Sequence, residues 1–333
     1  MSIVLRMPLL LGCACALIFA APKVVVTGLS DAVFQDLQKS VPGVRLVNTT
    51  QATLLKEIAD ADGVLGPIQA EHLKAAKNLK WVHIHSTGVE NNLFPELIES
   101  NVVVTNPRAV YGPQIADHAF AMLLALTRRL NQTIPNQAKE EWDRNRENMV
   151  ELDGKTAVII GVGGIGGNIA KRARGFGMKT IGVDVKDIPD GLITDRVVRP
   201  DQLDSVLPEA DVLFVSVPHT KKSEGMVSPK QFDLMKKGSY FVAVSRGKIY
   251  SHDGLVKALD EGRLAGAGVD VTNPEPLPKG DPLWKFKNVV ITGHTSGGSD
   301  NLAKRIRHVM VENLERFSKG LPLINVVDKR EGY

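Results

Sequence analysis

Beyond residue 22 the chain alternates short apolar, β-branched runs with longer segments whose apolar residues recur three or four positions apart. The first kind reads as buried strands and the second as helices lying on them. KVVVT from Lys23, VRLVN from Val44, GVLG from Gly63, WVHIH from Trp81 and VVVTN from Val102 form a first series of strands. Helical stretches such as 31–39 and 71–77 fall between them. A longer helix is predicted over 113–130, with Ile115, Ala116, Ala119, Met122, Leu123 and Leu126 on one face and Pro113 in its first turn. The polar stretch 131–149, carrying Pro135 and Trp142, reads as a connecting helical arm. A second series of strands follows: TAVIIG from Thr156, KTIGVD from Lys179, DVLFVSVP from Asp211, YFVAVS from Tyr240, AGAGVDV from Ala265 and NVVITG from Asn288. Helices are predicted between them near 165–174, 201–207, 229–235 and 253–261, and a last one over about 300–318 stops before Gly320. Alternation of this kind builds parallel sheets covered by helices on both faces. The pattern therefore predicts an α/β protein with two doubly wound parallel-sheet units.

Composition adds limits. A chain of 333 residues can bury two cores. A net charge of +4 with no basic stripe gives no support for a nucleic-acid partner. Cys13 and Cys15 are the only cysteines, so disulfides and cysteine-based metal sites are excluded from the rest of the chain. No H-E-x-x-H or comparable cluster is present, and no metal is expected. His83 and His85 alternate on one strand without a third ligand and read as cleft or sheet-face residues. Residues 1–21 differ from the rest. Arg6 precedes MPLLLGCACALIFAA, which Pro22 and Lys23 interrupt. That segment resembles a secretory signal peptide and is too short for a stable membrane span. It points to export, whereas a dinucleotide cofactor points to the cytoplasm, and the sequence leaves the compartment open.

The dinucleotide expectation rests on TAVIIGVGGIGGNIA, in which Gly161, Gly163 and Gly166 fit G-x-G-x-x-G between a strand and a helix. Gly161 permits the tight turn, Gly163 lets the backbone approach a pyrophosphate, and Gly166 lets helix and strand pack closely. The helix N-terminus adds unpaired N–H groups and the positive end of its dipole. Asp184 ends the next strand, eighteen residues beyond Gly166. A carboxylate there accepts hydrogen bonds from ribose hydroxyls and repels a 2′-phosphate, which favours NAD over NADP.

Arg246, Glu275 and His294 follow the strands from Tyr240, Ala265 and Asn288. Ligands of open parallel sheets bind outside the carboxyl ends of the strands, so all three residues project toward the crevice of the glycine turn. Each alone is equally a surface residue.

Their surroundings carry more. SVPHT, AVSRG, GAGVDVTNPEPLP, DPLW, VVITGH, the turn GVGGIG and the tail GLPLINVVDKREGY closely resemble the D-isomer-specific 2-hydroxyacid dehydrogenase family. NPRAVYGPQIADHAFAMLLALTRR and LKWVHIHSTGVENN resemble that family's linker helix and substrate loop. The resemblance implies a Rossmann NAD-binding domain, about 110–297, inserted in a flavodoxin-like substrate domain made of 22–109 and about 298–333. It implies a homodimer formed through the dinucleotide domains. It also implies reversible reduction of a small 2-oxo acid, such as glyoxylate or hydroxypyruvate, to the D-2-hydroxy acid. Arg246 would grip the substrate carboxylate and polarise the carbonyl. His294 would be the general acid in reduction and the base in oxidation. Glu275 would orient His294 and favour its protonated form. Backbone amides at Thr87, Gly88 and Val89 would meet the substrate carboxylate from the facing domain. Gly161, Gly163, Gly164, Ile165, Gly166, Asp184, Val217, Pro218, Val244, His294 and Gly297 would line the dinucleotide, and Asp270 would contact the nicotinamide amide.

Departures from the family pattern are Gly293, where Pro is usual, which would loosen the His294 loop, and Asp117, where Glu is usual. His219 and the run 221–223 are also unusual after the Val-Pro pair. Formate and phosphite dehydrogenases share the architecture, but the formate enzymes carry Gln where Glu275 stands. NAD-binding corepressor relatives can keep the same three residues, so a regulatory scaffold is the alternative from outside enzymes.

Overall fold

The computed structural model describes residues 20–333. Both cysteines and nearly all of the leader lie outside the described residues.

Two parallel sheets organise the molecule. The first holds β1 (Lys23–Val26), β2 (Arg45–Asn48), β3 (Gly63–Leu65), β4 (Trp81–His83) and β5 (Val103–Thr105), in the order β2-β1-β3-β4-β5. That is the flavodoxin-like order. The second holds β6 (Thr156–Ile160), β7 (Lys179–Val183), β8 (Arg196–Val198), β9 (Val212–Val215), β10 (Ser239–Ala243), β11 (Leu264–Val269) and β12 (Val289–Ile291), in the order β12-β11-β10-β9-β6-β7-β8. Every pairing within both sheets is parallel. Because the side chains of β1, β6, β9 and β10 are apolar on both faces, each sheet is covered on both sides. Val158, Phe241 and Val269 belong to the core on one face of the second sheet, and Ile159, Phe214 and Val242 to the core on the other.

The long helix Gly112–Thr127 joins the two units. It buries Ile115, Ala119, Leu123 and Leu126 against the second sheet, as its periodicity predicts. The stretch beyond it differs from the expected helical arm. Only Leu130–Gln137 is helical, with Pro135 inside it and no buried residue. Glu140 and Asn148 take left-handed backbone angles, and Asp143 and Asn145 accept bonds from amides two residues on, so local turns replace the helix over 138–149.

The C-terminal helix Leu302–Ser318 returns to the first sheet, where Met310 and Leu314 pack with Val24, Val26 and Trp81. Val327 then donates its amide to the Val104 carbonyl at 2.8 Å. The outgoing and returning crossings are bonded to each other. Arg305 donates to the Val110 carbonyl at 2.8 Å and to Gln114 at 2.6 Å, and Gln114 donates to the Gly297 carbonyl at 3.1 Å. No helix among the described residues is long and apolar enough to cross a membrane.

Candidate active site

The chain runs from β6 outward to β8 and then resumes on the other side of β6 with β9, so the strand order reverses between β6 and β9. The glycine turn lies there. Gly161 has φ +81°, and a Cβ on it would stand 2.9 Å from the Val217 backbone, so both angle and space require glycine. A Cβ on Gly166 would stand 1.8 Å from the Gly161 carbonyl oxygen, which fixes how closely the helix Gly164–Gly175 approaches the turn. Gly163 is different: it is exposed and a Cβ there would meet nothing within 4 Å. That open flank, beside a helix N-terminus, fits a phosphate group lying against the backbone. Ile165 is half-buried in the first helical turn beside it, and Gly164 is exposed.

Asp184 follows β7 and accepts the Val162 amide at 2.9 Å and the Lys186 amide at 2.9 Å. The carboxylate is thereby tied to the glycine turn. Each oxygen keeps a further lone pair, which suits a ribose hydroxyl. Val217 and Pro218 are accessible on the β9 side of the turn.

β10, β11 and β12 are neighbours, and their carboxyl ends carry the titratable groups. His294 Nδ1 lies 3.0 Å from Glu275 Oε2, and both side chains are about two-fifths exposed (42% and 41%). With Nδ1 committed to Glu275, Nε2 is the nitrogen left for a ligand. His294 takes φ +55°, an unfavourable angle for a residue with a Cβ. Asp270 is what holds it there. The Asp270 carbonyl accepts the His294 amide at 2.8 Å, and its carboxylate accepts Thr292 Oγ1 at 2.6 Å and the amides of Thr295 and Ser296 at 2.9 and 3.1 Å. Burial alone raises the Asp270 pKa, but these donors outweigh it and hold the carboxyl below its ordinary value. Asp270 is fully buried, and apart from His118 Nε2 at 3.6 Å the contacts of its carboxylate lie on the His294 loop. Gly293 is exposed, a Cβ there would meet nothing, and the loop is anchored through Asp270 instead.

Arg246 follows β10. Its Nε donates to Glu90 Oε1 at 2.9 Å, and its Nη1 donates to the Ser245 carbonyl at 2.9 Å. Glu90 belongs to the loop after β4, so this contact joins the two sheets' units across the cleft. Thr87, Gly88 and Val89 precede it on the same loop. Asn106 donates to the Thr87 carbonyl at 2.6 Å, and Ser86 to the Gly88 carbonyl at 2.6 Å. The amides of Thr87, Gly88 and Val89 make no hydrogen bond among the described residues. The buried hydroxyls of Thr87 and Ser245 have no partner there either. Unspent donors beside a guanidinium suit an oxyanion ligand.

The structure thus gathers Arg246 with the Thr87–Val89 turn, His294 with Glu275, and the glycine turn with Asp184 and Val217. Val244, by contrast, belongs to the apolar core, and Gly297 is engaged with the linker helix. Two contributors escaped the sequence pattern. Glu90 shows only as the residue after Val89. His118, on the linker helix, sits 2.9 Å from Thr292 Oγ1 and so braces the Asp270 network from behind. Asp117 pairs with Arg172 at 2.7 Å and ties the linker helix to the helix of the glycine turn.

Comparisons with known proteins agree with this fold. A family model described as "D-isomer specific 2-hydroxyacid dehydrogenase, NAD binding domain" matches residues 120–296. A glyoxylate reductase of Korarchaeum cryptofilum is 33% identical over 291 residues, 84% of this chain and 86% of the relative. A hydroxypyruvate reductase of Blautia hydrogenotrophica is 31% identical over 290 residues, 84% of this chain and 89% of the relative. The crystal structure of D-lactate dehydrogenase from Aquifex aeolicus complexed with NAD and lactic acid superposes with a TM-score of 0.71 at 27% identity, covering 89% of this chain and 96% of that one.

Proposed function

The chain belongs to the D-isomer specific 2-hydroxyacid dehydrogenase family, an NAD(P)-dependent group of oxidoreductases, and from that membership we propose reversible, NADH-linked reduction of a small 2-oxo acid of the glyoxylate or hydroxypyruvate type. The observation that carries the reading is the pairing of an arginine beside unspent backbone amides with a carboxylate-bound histidine on neighbouring strand ends.

Arg246 and the amides of Thr87, Gly88 and Val89 bind the substrate carboxylate from opposite sides of the cleft. The guanidinium also draws electron density from the adjacent carbonyl. His294 donates its Nε2 proton to the carbonyl oxygen during reduction and takes it back in the reverse direction. Glu275 holds the ring through Nδ1 and compensates the charge that the ring carries. Gly161, Gly163, Gly164, Ile165, Gly166, Val217 and Pro218 hold the dinucleotide, and Asp184 selects NAD through the ribose hydroxyls. When bound, the dinucleotide supplies the hydride at nicotinamide C4. The division at about 109 and 298, with a hinge at the bonded crossings, and a homodimer belong to the same proposal. Exposed Leu130, Ile134 and Trp142 beyond the linker helix support the dimer.

Arg246→Ala tests the clamp. kcat/KM for hydroxypyruvate falls by about two to three orders of magnitude, the range for losing a preorganised electrostatic group, while NADH affinity stays nearly unchanged. Wild-type kcat/KM in that variant would reject the role of Arg246.

A further inference from the structure

Arg246 is held in a way that leaves one corner of its fork open. Glu90 takes Nε and the Ser245 carbonyl takes Nη1, so the guanidinium plane is fixed from two edges. Nη2 makes no hydrogen bond among the described residues. It lies 2.2 Å from where a Cβ on Gly88 would stand, so the open corner is pressed against the turn whose amides are unspent. The same imagined Cβ would lie 2.6 Å from Glu90 Oε2, which makes Gly88, Glu90 and Arg246 one close-packed unit.

We propose that Glu90 is a positioning residue for Arg246, holding its guanidinium so that Nη2 meets the substrate carboxylate at the Thr87–Val89 turn. The inference rests on the reading of Arg246 as the carboxylate clamp. A long, rotamer-rich side chain samples many orientations unless something fixes it, and a fixed fork loses less on binding. Glu90 is suited to the task because it stays anionic. Burial pushes its pKa up, but its own backbone amide together with the hydrogen bond and charge of Arg246 brings the carboxyl below its ordinary value. Both side chains are about one-third exposed (36% and 34%), so the pair adds little to folding stability and its consequence is orientation. Because Glu90 approaches from the first sheet's side, the clamp is assembled only when both walls of the cleft are in place.

Steady-state kinetics with hydroxypyruvate and NADH test this on Glu90→Ala, Glu90→Gln, Arg246→Ala and the Glu90→Ala/Arg246→Ala double variant. Oxamate binding to each NADH complex, followed by nicotinamide fluorescence, reads the clamp without turnover. Glu90→Ala raises KM and the oxamate Kd about tenfold, the loss of one charge-assisted bond, with a smaller change in kcat. Glu90→Gln keeps an oxygen for Nε and recovers most of that loss. Tm and NADH affinity stay at wild-type values. In the Arg246→Ala background, Glu90→Ala has no further effect. A lowered KM in Glu90→Ala would overturn the proposal by making Glu90 a carboxylate that competes with substrate. So would an unchanged KM, or full additivity in the double variant. A wild-type Arg246→Ala enzyme would overturn the clamp reading as well, whereas a defective Arg246→Ala beside an unaffected Glu90→Ala would overturn the Glu90 proposal alone.

Discussion

His83 is fully buried on β4, and its surroundings determine its proton. The Trp81 indole, which can only donate, gives its hydrogen to Thr105 Oγ1 at 2.8 Å. The same hydroxyl lies 2.9 Å from His83 Nδ1, while His83 Nε2 has no partner among the described residues. Burial, with a smaller contribution from His85, pushes the His83 pKa down from 6.5 to about 3. The unfolded chain therefore binds more protons than the folded one between those values. The stability due to a neutral His83 is complete above pH 6.5 and is lost as pH falls through that window. Between pH 7 and pH 5 the loss is about 2 kcal/mol. His83→Asn keeps a polar partner for Thr105 and removes the titration, so its urea stability falls by that much less over the same interval. Equal losses in the two proteins would contradict the assignment. The sequence suggested a cleft or sheet-face position for this histidine, and period-2 alternation alone could not say that both faces of the strand are covered.

The glycine turn separates two roles that the motif merges. Gly166→Ala drives a methyl into the Gly161 carbonyl and lowers Tm by several degrees, an overpacking cost of about 1–3 kcal/mol. Gly163→Ala meets open space, so Tm changes little, while NADH affinity falls more than about tenfold because the methyl occupies the phosphate side. Thermal unfolding and NADH titration of the two variants check this, and parallel losses in both would contradict it. The turn was legible because strand, glycines and helix fall within one short segment. The placement of Arg246, Glu275 and His294 at neighbouring strand ends was legible because parallel strands share a carboxyl edge. The helices Gln51–Glu57 and Pro95–Glu99 and the edge strand β8 escaped the pattern, being too short for periodicity to separate from loop. The arm failed as a helix because turn-forming Asn and Asp side chains compete for the backbone.

Between the two units the decisive contacts are long-range. The Arg246–Glu90 pair spans 156 positions, and the Arg305–Val110 bond spans 195. Local patterning predicts each sheet but not how one unit faces the other, so the fold class was legible and Glu90 was not. The bonded crossings and the Arg246–Glu90 pair are two places where the units are tied together. The proposed 2-oxo acid reduction is measured most directly by loss of nicotinamide absorbance when the protein is mixed with NADH or NADPH and a panel of 2-oxo acids. Glyoxylate or hydroxypyruvate is expected to turn over with NADH, and more slowly with NADPH because the Asp184 carboxylate would repel a 2′-phosphate. Tight NADH binding without turnover of any 2-oxo acid would contradict it.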